Sequence, residues 1–319
     1  MLSVLYKNAL LSFLLFIMAA TTFAQTRSFQ LVPLGVKGGI DESNLSAYLV
    51  APYGSSNYIC LDAGTLHAGI EKAIANKVFS IPAEQVLKKY IKAYFISHSH
   101  LDHLSGLLIN SPDDTAKTIY ANADCIDVFK NNYFTWKSWA NFANDGEKPQ
   151  LGKYRYEVLA PGKEISVNGT ALKVQSFPLS HSNLQSTAFL VNNNGSYLLY
   201  LGDTGPDEIE KSHNLQNLWQ AVAPLIKTGQ LKAIMIEVSF ANEQPDKTLF
   251  GHFTPNWLMK EMSTLSQLTG VKALQSCKII VTHVKPPQSQ INHIIQQLKD
   301  INSLHLNLIY PKQGKPILF

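Results

Sequence analysis

Cysteine and charge are both scarce in this 319-residue sequence. It contains three cysteines, Cys60, Cys125 and Cys277, with no CxxC spacing. An odd number without paired spacing excludes a disulfide-rich scaffold and a cysteine zinc site, although one disulfide stays open. Cys60 and Cys277 adjoin apolar runs, so we expect them in the core. Charged residues make up 16% of the chain, the net charge is +4, and no basic run exceeds Lys88-Lys89, which excludes a nucleic-acid surface built on a basic patch.

Long apolar runs are also absent, except near the N-terminus. Lys7 precedes an apolar run at 9–20, and Thr22-Phe23-Ala24 ends in a small residue that a signal peptidase accepts before Gln25. The run is shorter than the roughly 20 residues that span a bilayer, which favours a cleaved signal peptide over a retained anchor. We therefore expect residues 1–24 to be removed, and the mature chain, 25–319, to be secreted or periplasmic and to have no stable membrane anchor.

The mature chain alternates between short apolar stretches and amphipathic stretches of helical length. The full sequence has 45% hydrophobic residues, enough to bury a large core, and no linker or repeat marks a boundary, so we predict one domain. Asn192-Asn193-Asn194-Gly195 between two apolar runs predicts a hairpin turn, so the class is α/β or α+β with a partly antiparallel sheet. The predicted strands cover 29–34, 45–50, 58–61, 93–97, 173–177, 186–191, 197–201, 233–237, 278–282 and 305–310. The predicted helices cover 68–78, 83–91, 104–109, 123–129, 215–226, 255–268 and 289–300.

Residues 129–147 have the composition of an insertion rich in aromatic side chains. The stretch holds Trp136 and Trp139, two of the four tryptophans, and ends in the polar Asn144-Asp145-Gly146-Glu147. One interpretation is a hydrophobic lid, or a platform that stacks a base. The interpretation that we favour is a helical insertion packed on its own core or on a second copy of the chain, which leaves a homodimer open.

The densest chemical feature is His98-Ser99-His100-Leu101-Asp102-His103, which places four potential metal ligands in six residues after an apolar run. Imidazole and carboxylate are the ligands that borderline divalent cations such as zinc prefer. The plainer alternative is a polar turn that contains several histidines by chance. His181, Asp203 and His283 each follow an apolar run as well, so loops from separate strands can bring them to one rim. Together these residues predict a site for more than one metal ion.

This pattern resembles the metallo-β-lactamase superfamily, whose HxHxDH motif is followed by a later His, an Asp after a strand and a last His. The longer segment 98–112 resembles the signature of the class II cyclic-nucleotide phosphodiesterases within that superfamily. Gly251-His252-Phe253-Thr254-Pro255 resembles a second segment of that class, which more often has Leu where Phe253 stands. The matching motifs run from Asp62 to His283. The resemblance implies an α+β fold, a four-layer αββα sandwich with the active site at one rim of its two sheets.

The resemblance also implies two divalent cations and a division of ligands between them. Zinc suits these ligands best, and manganese or iron stays open. Asp62 would hold a ligand in orientation rather than bind metal, with a simple turn position as the alternative. One cation would be bound by His98, His100 and His181 and the other by Asp102, His103 and His283, with Asp203 bridging.

Two such cations would generate a bridging hydroxide at neutral pH. His252, between Gly251 and a helix start at Thr254-Pro255, is our candidate proton donor to the leaving 3′ oxygen, with a capping or packing role as the alternative. Asp102, which would recruit the second cation, is the other residue to which we assign a catalytic role. Glu237 would support a ligand or touch the ribose, or else be a buried structural acid. The resemblance thus implies hydrolysis of a 3′,5′-cyclic nucleotide, first of all cyclic AMP, to the 5′-monophosphate.

Other functions stay open at this point. A β-lactam, lactone or other phosphodiester hydrolase of the same fold would share the metal site, and the first two would not need His252 as a proton donor. A secreted binding protein with a structural metal is disfavoured, because closed structural sites use four ligands rather than seven. Cyclic AMP and cyclic GMP both remain candidate substrates.

Overall fold

The structure is a computed structural model that describes residues 27–319, so the predicted signal peptide lies outside the described residues. The strands are β1 (Phe29–Gly35), β2 (Ala47–Pro52), β3 (Tyr58–Ala63), β4 (Ile91–Phe95), β5 (Lys117–Ala121), β6 (Tyr154–Val158), β7 (Glu164–Ser166), β8 (Lys173–His181), β9 (Leu184–Asn193), β10 (Ser196–Leu201), β11 (Leu231–Glu237), β12 (Lys278–Thr282), β13 (Asn307–Ile309) and β14 (Ile317–Leu318). The α-helices are α1 (His67–Ala75), α2 (Ala83–Gln85), α3 (Leu101–Asn110), α4 (Ala123–Val128), α5 (Asp207–Glu210), α6 (Asn214–Lys227), α7 (Pro255–Thr269), α8 (Val271–Ser276) and α9 (Gln288–Ile301). Val86–Tyr90 and Phe129–Tyr133 form π-helical turns, and Asp246–Thr248 forms a 3₁₀ turn.

The strands form two seven-stranded mixed sheets with the same succession of pairings. The first has the order β14-β1-β2-β3-β4-β5-β6, and the second has the order β7-β8-β9-β10-β11-β12-β13. In each sheet the pairings are antiparallel as far as the fourth strand in this order and parallel after it. The predicted hairpin is confirmed between β9 and β10, where Asn194 and Gly195 both have the positive φ that a tight hairpin turn requires.

Strand alternation gives each sheet two buried faces. On β2, Tyr48 and Val50 point into a core between the two sheets, whereas Leu49 and Ala51 join a second core on the outer face of the first sheet. A third core lies on the outer face of the second sheet, where it includes the buried Trp219 of α6. Helices cover both outer faces, which confirms the predicted α+β fold with four αββα layers.

The aromatic stretch 129–147 packs on the main body of the domain rather than on a core of its own. Phe129 and Phe134 are fully buried in the core on the outer face of the first sheet. The Tyr133 hydroxyl donates a hydrogen bond to the Ser99 carbonyl at 2.8 Å, inside the histidine-rich motif. Helical structure ends at Tyr133, so the rest of the stretch is not the helix that the sequence analysis favours.

The three cysteines are free and buried, which confirms the expected core positions of Cys60 and Cys277. None of them is disulfide-bonded in the structure. Within residues 27–319, none of the helices has the length and the apolar content needed to cross a membrane.

Candidate metal centre

The seven predicted ligands converge at one rim of the two sheets, near the carboxyl ends of their strands. The carboxyl ends of parallel strands meet at the same edge of a sheet, which explains why residues far apart in sequence come together. His98 and His100 lie in the loop after β4, Asp102 and His103 in the first turn of α3, His181 at the end of β8, Asp203 after β10 and His283 after β12.

His98, His100 and His181 form one group of ligands. His98 Nε2 and His181 Nε2 lie 3.0 and 3.3 Å from His100 Nδ1. The Nδ1 atoms of His98 and His181 contact other groups. His98 Nδ1 lies 3.0 Å from Ser97 Oγ, and His181 Nδ1 donates to the Gly251 carbonyl at 2.8 Å. These bonds leave the two Nε2 lone pairs directed at the centre of the group.

Asp102, His103 and His283 form the second group, and Asp203 lies between the two groups. His283 Nε2 is 3.1 Å from Asp102 Oδ2. Asp203 Oδ2 is 3.2 Å from both His103 Nε2 and His283 Nε2, and 3.9 Å from His98 Nε2. The structure therefore places the seven residues in the two sets that the resemblance implies.

The donor set fits divalent cations. His103 Nε2 and Asp203 Oδ1 are buried and have no hydrogen-bond partner among the described residues. Burying such polar atoms destabilises the fold unless a bound ligand interacts with them. Burial lowers the pKa of His181 to about 4 and that of His98 well below its usual value, so both rings are neutral at pH 7. Neutral imidazoles with converging lone pairs, next to buried carboxylates, provide the donors that borderline divalent metals prefer.

Asp62, at the end of β3, holds the ligand His103 and the neighbouring Ser97 in position through hydrogen bonds. Its fully buried carboxylate accepts hydrogen bonds from Ser97 N at 2.7 Å, Ser97 Oγ at 2.8 Å and Tyr200 OH at 2.5 Å. It also accepts from His103 Nδ1 at 2.7 Å, which fixes the tautomer of that ring. The positive φ of 50° at Asp62 is uncommon outside glycine and turns the side chain into this position. The geometry agrees with the predicted orienting role.

Glu237 and His252 form a buried pair beside the second group. His252 Nδ1 lies 2.7 Å from Glu237 Oε1, and Glu237 Oε2 accepts a hydrogen bond from Ser239 Oγ at 2.6 Å. Ser239 Oγ in turn lies 2.9 Å from His283 Nδ1, so Glu237 supports a predicted ligand through this serine. Burial raises the pKa of Glu237 to about 7 and lowers that of His252 to about 4.

His252 has three further neighbours that the sequence analysis did not anticipate. It lies close enough to His181 and Asp203 for the three to hold a cation. Its Nε2 accepts a hydrogen bond from Lys285 Nζ at 2.9 Å. A lysine two residues after the last ligand carries little signal in a sequence, because most lysines are solvated surface residues.

The Gly38-Gly39 pair contacts the site through its backbone. The Gly39 amide donates to Asp102 Oδ2 at 2.9 Å. A Cβ atom at Gly38 would overlap the His283 ring, so only glycine allows this close approach. Two glycines without further motif residues do not indicate a ligand in a sequence, so only the structure reveals this contact.

Comparison with known proteins decides the family. The model of the family described as "cAMP phosphodiesterases class-II" matches residues 28–314. The chain belongs to this family. A 3′,5′-cyclic-nucleotide phosphodiesterase of Aliivibrio fischeri is 43% identical over 330 residues, which cover 99% of this chain and all of the relative. The family assignment confirms the resemblance found in the histidine-rich motif and in the segment around His252.

Solved structures share the fold. The crystal structure of unliganded yeast PDE1 matches with a TM-score of 0.80 at 22% identity, covering 92% of this chain and 99% of that one. The metallo-β-lactamase fold protein YhfI of Bacillus subtilis matches with a TM-score of 0.61 at 16% identity, covering 92% of this chain and all of the other. The four-layer sandwich of this class II phosphodiesterase is therefore a metallo-β-lactamase fold.

Proposed function

We propose that the protein hydrolyses 3′,5′-cyclic nucleotides, cyclic AMP among them, to 5′-monophosphates at a centre of two divalent cations, with zinc as the metal that best suits the ligands. The observation that carries this proposal is the pair of converging ligand groups joined by Asp203, in a chain of the class II family. The relative from Aliivibrio fischeri, which this chain matches over its full length, is a 3′,5′-cyclic-nucleotide phosphodiesterase.

The chain's own residues have separable tasks in this reaction. Bound divalent cations would supply Lewis acidity, which lowers the pKa of water and neutralises phosphate charge. Asp62 keeps His103 in the tautomer with a free Nε2, and Ser239 does the same for His283. Their burial keeps bulk water away from the groups that meet the phosphate.

His252 is the candidate donor of a proton to the leaving 3′ oxygen. Glu237 accepts a hydrogen bond from His252 Nδ1, so Nε2 is the ring atom that would take up a proton and pass it to the leaving oxygen. The 3′ alkoxide is a very basic leaving group, so a donor at this atom lowers the barrier to breaking the bond.

A substrate panel tests the proposal. The purified chain, analysed for metal, is incubated with cyclic AMP, cyclic GMP, a β-lactam, a lactone and a generic phosphodiester. We expect two ions per chain and 5′-monophosphate as the product. A His100→Ala variant should lose turnover, whereas His293→Ala, at an exposed histidine that contacts Glu243, should keep it. Formation of 3′-monophosphate would contradict the choice of bond, and turnover of the lactam or lactone alone would contradict the substrate class.

We also propose that the protein acts outside the cytoplasm, after removal of residues 1–24. The support is the sequence pattern of Lys7, the apolar run and the small residue at Ala24. Mass spectrometry of the protein isolated from its source cells tests this: we expect a mature chain that begins at Gln25 in the periplasm or medium, and a cytoplasmic chain with residues 1–24 intact would contradict it.

A further inference from the structure

Lys285 is a charged residue at the same rim of the sheets, and it has no role in the reaction proposed above. Its Nζ lies 2.9 Å from His252 Nε2 and 4.7 Å from the centre of the Phe240 ring. Phe240 packs edge-on against His252, with 5.6 Å between ring centres. The ammonium group is thus held beside the candidate proton donor, two residues after the ligand His283.

The charge of Lys285 has no carboxylate partner. Within residues 27–319, no carboxylate oxygen lies within 4.0 Å of its Nζ, whereas Lys37, at the same rim, pairs with Asp41 at 2.9 Å. The Glu237 carboxylate pairs with His252 rather than with Lys285.

An ammonium group has three N–H bonds, and the structure shows one of them donated, to His252 Nε2. The remaining N–H bonds suit an anionic oxygen, because charge-assisted hydrogen bonds are about twice as strong as neutral ones. A cyclic phosphodiester carries one negative charge on its two non-bridging oxygens. The unpaired positive charge and the spare donors of Lys285 are complementary to that group.

We propose that Lys285 is a substrate-binding residue, whose ammonium group donates hydrogen bonds to the phosphate of the cyclic nucleotide. This inference rests on the proposed function and adds a residue to it. By contacting the phosphate and His252 Nε2 together, Lys285 would hold His252 beside the substrate. Lys285 also favours anionic esters over neutral ones, since a neutral lactone gains nothing from the ammonium group.

Two variants of Lys285 and one control test this role. Lys285→Met removes the charge and keeps most of the apolar stem, and Lys285→Arg keeps the charge. Lys272→Met, at an exposed lysine of α8, removes the same charge far from any ligand in sequence. For each protein the metal content, the thermal unfolding, kcat and KM for cyclic AMP, and the competitive inhibition constant of inorganic phosphate are measured.

We expect Lys285→Met to keep both metal ions while KM and the phosphate inhibition constant rise by about 10- to 100-fold, the loss of a hydrogen bond to a charged group. Lys285→Arg should recover part of both, and Lys272→Met should match the wild type. Unchanged KM and phosphate inhibition in a folded, metal-loaded Lys285→Met protein would overturn the inference. Loss of metal in Lys285→Met would overturn it as well, because it would make Lys285 a support for the ligands.

The two proposals fail in different ways. If the wild type turns over no cyclic nucleotide, the proposed function is wrong. Calorimetric binding of inorganic phosphate to the metal-loaded proteins still tests Lys285 in that case. Weaker phosphate binding by Lys285→Met than by Lys272→Met would support the phosphate contact, and equal binding would overturn it.

Discussion

The carboxylate of Asp62 receives hydrogen bonds from Ser97, His103 and Tyr200 without being near enough to bind a cation itself. An Asp62→Asn substitution turns one acceptor oxygen into an N–H donor that faces other donors. Because His103 then loses its fixed orientation, we expect metal affinity to fall about 10- to 100-fold.

A competition titration with a chromophoric chelator measures this affinity. Tyr200→Phe serves as the graded control, since it removes one donor and costs about 1 kcal/mol of stability. Equal metal affinity in wild type and Asp62→Asn would show that Asp62 is only a structural acid.

Some residues of the site can be identified from the sequence alone, and others only from the structure. The seven predicted ligands are identifiable because imidazole and carboxylate side chains cluster in a recognisable order along the chain. Lys285, Ser97 and Ser239 are common residue types whose roles arise from what the fold places beside them. Gly38 is similar, because its importance comes from a His283 ring that lies hundreds of positions away in sequence.

At the scale of the elements, apolar periodicity predicts ten of the fourteen described strands. The strands at 29–34, 197–201 and 278–282 are found with bounds shifted by no more than a residue. Strands β5, β6, β7 and β14 are missed. In β5 only the last three of five residues are apolar, after Lys117 and Thr118, and β6 lies at the sheet edge with most of its side chains at least partly exposed. β7 and β14 are only three and two residues long.

Asp114 ties three neighbouring strands together. Its carboxylate accepts hydrogen bonds from Tyr94 OH of β4 at 2.7 Å and Tyr154 OH of β6 at 2.8 Å, and it pairs with Lys117 of β5. An Asp114→Ala substitution leaves a buried ammonium group unpaired, so we expect a loss of about 3–5 kcal/mol in the free energy of unfolding.

Denaturant unfolding of the metal-loaded protein measures this loss. Asp113→Ala, at the exposed neighbour, should change stability little. A loss below about 1 kcal/mol in Asp114→Ala would mean that the network contributes little to the packing of these strands.

At the scale of the whole molecule, the metal centre joins the two halves of the sandwich. The loop after β4 of the first sheet and the first turn of α3 supply four of the predicted ligands, and the second sheet supplies the other three, among them Asp203 between the groups. We therefore expect cations to stabilise the entire fold, by about 2.7 kcal/mol when their free concentration is 100 times the dissociation constant.

Calorimetric melting of chelator-treated and zinc-reloaded protein measures this coupling. We expect the melting temperature to fall on metal removal, by about 2–4 °C for each kcal/mol lost, and to recover on reloading. In an Asp203→Asn variant the chelator should have a much smaller effect. Identical melting of apo and loaded wild type, with removal verified by metal analysis, would contradict the coupling.

The repeated order of the sheets is the part of the fold that the sequence conceals. No internal repeat is visible along the chain, yet both sheets pass from antiparallel to parallel pairing at their fourth strand. Backbone pairing depends on alternation and turn geometry, which very different side chains satisfy, so two halves can share a topology without sharing residues.

The two groups of ligands are completed at different points along the chain: His181 completes the first group and His283, after β12, completes the second. Folding of a segment that ends before β12 therefore yields no complete site for both cations. If the chain crosses a membrane unfolded, it does so without its cations. The enzyme would then be loaded from the metal supply of the compartment in which it works, and its activity would report on that supply rather than on the metal content of the cytoplasm.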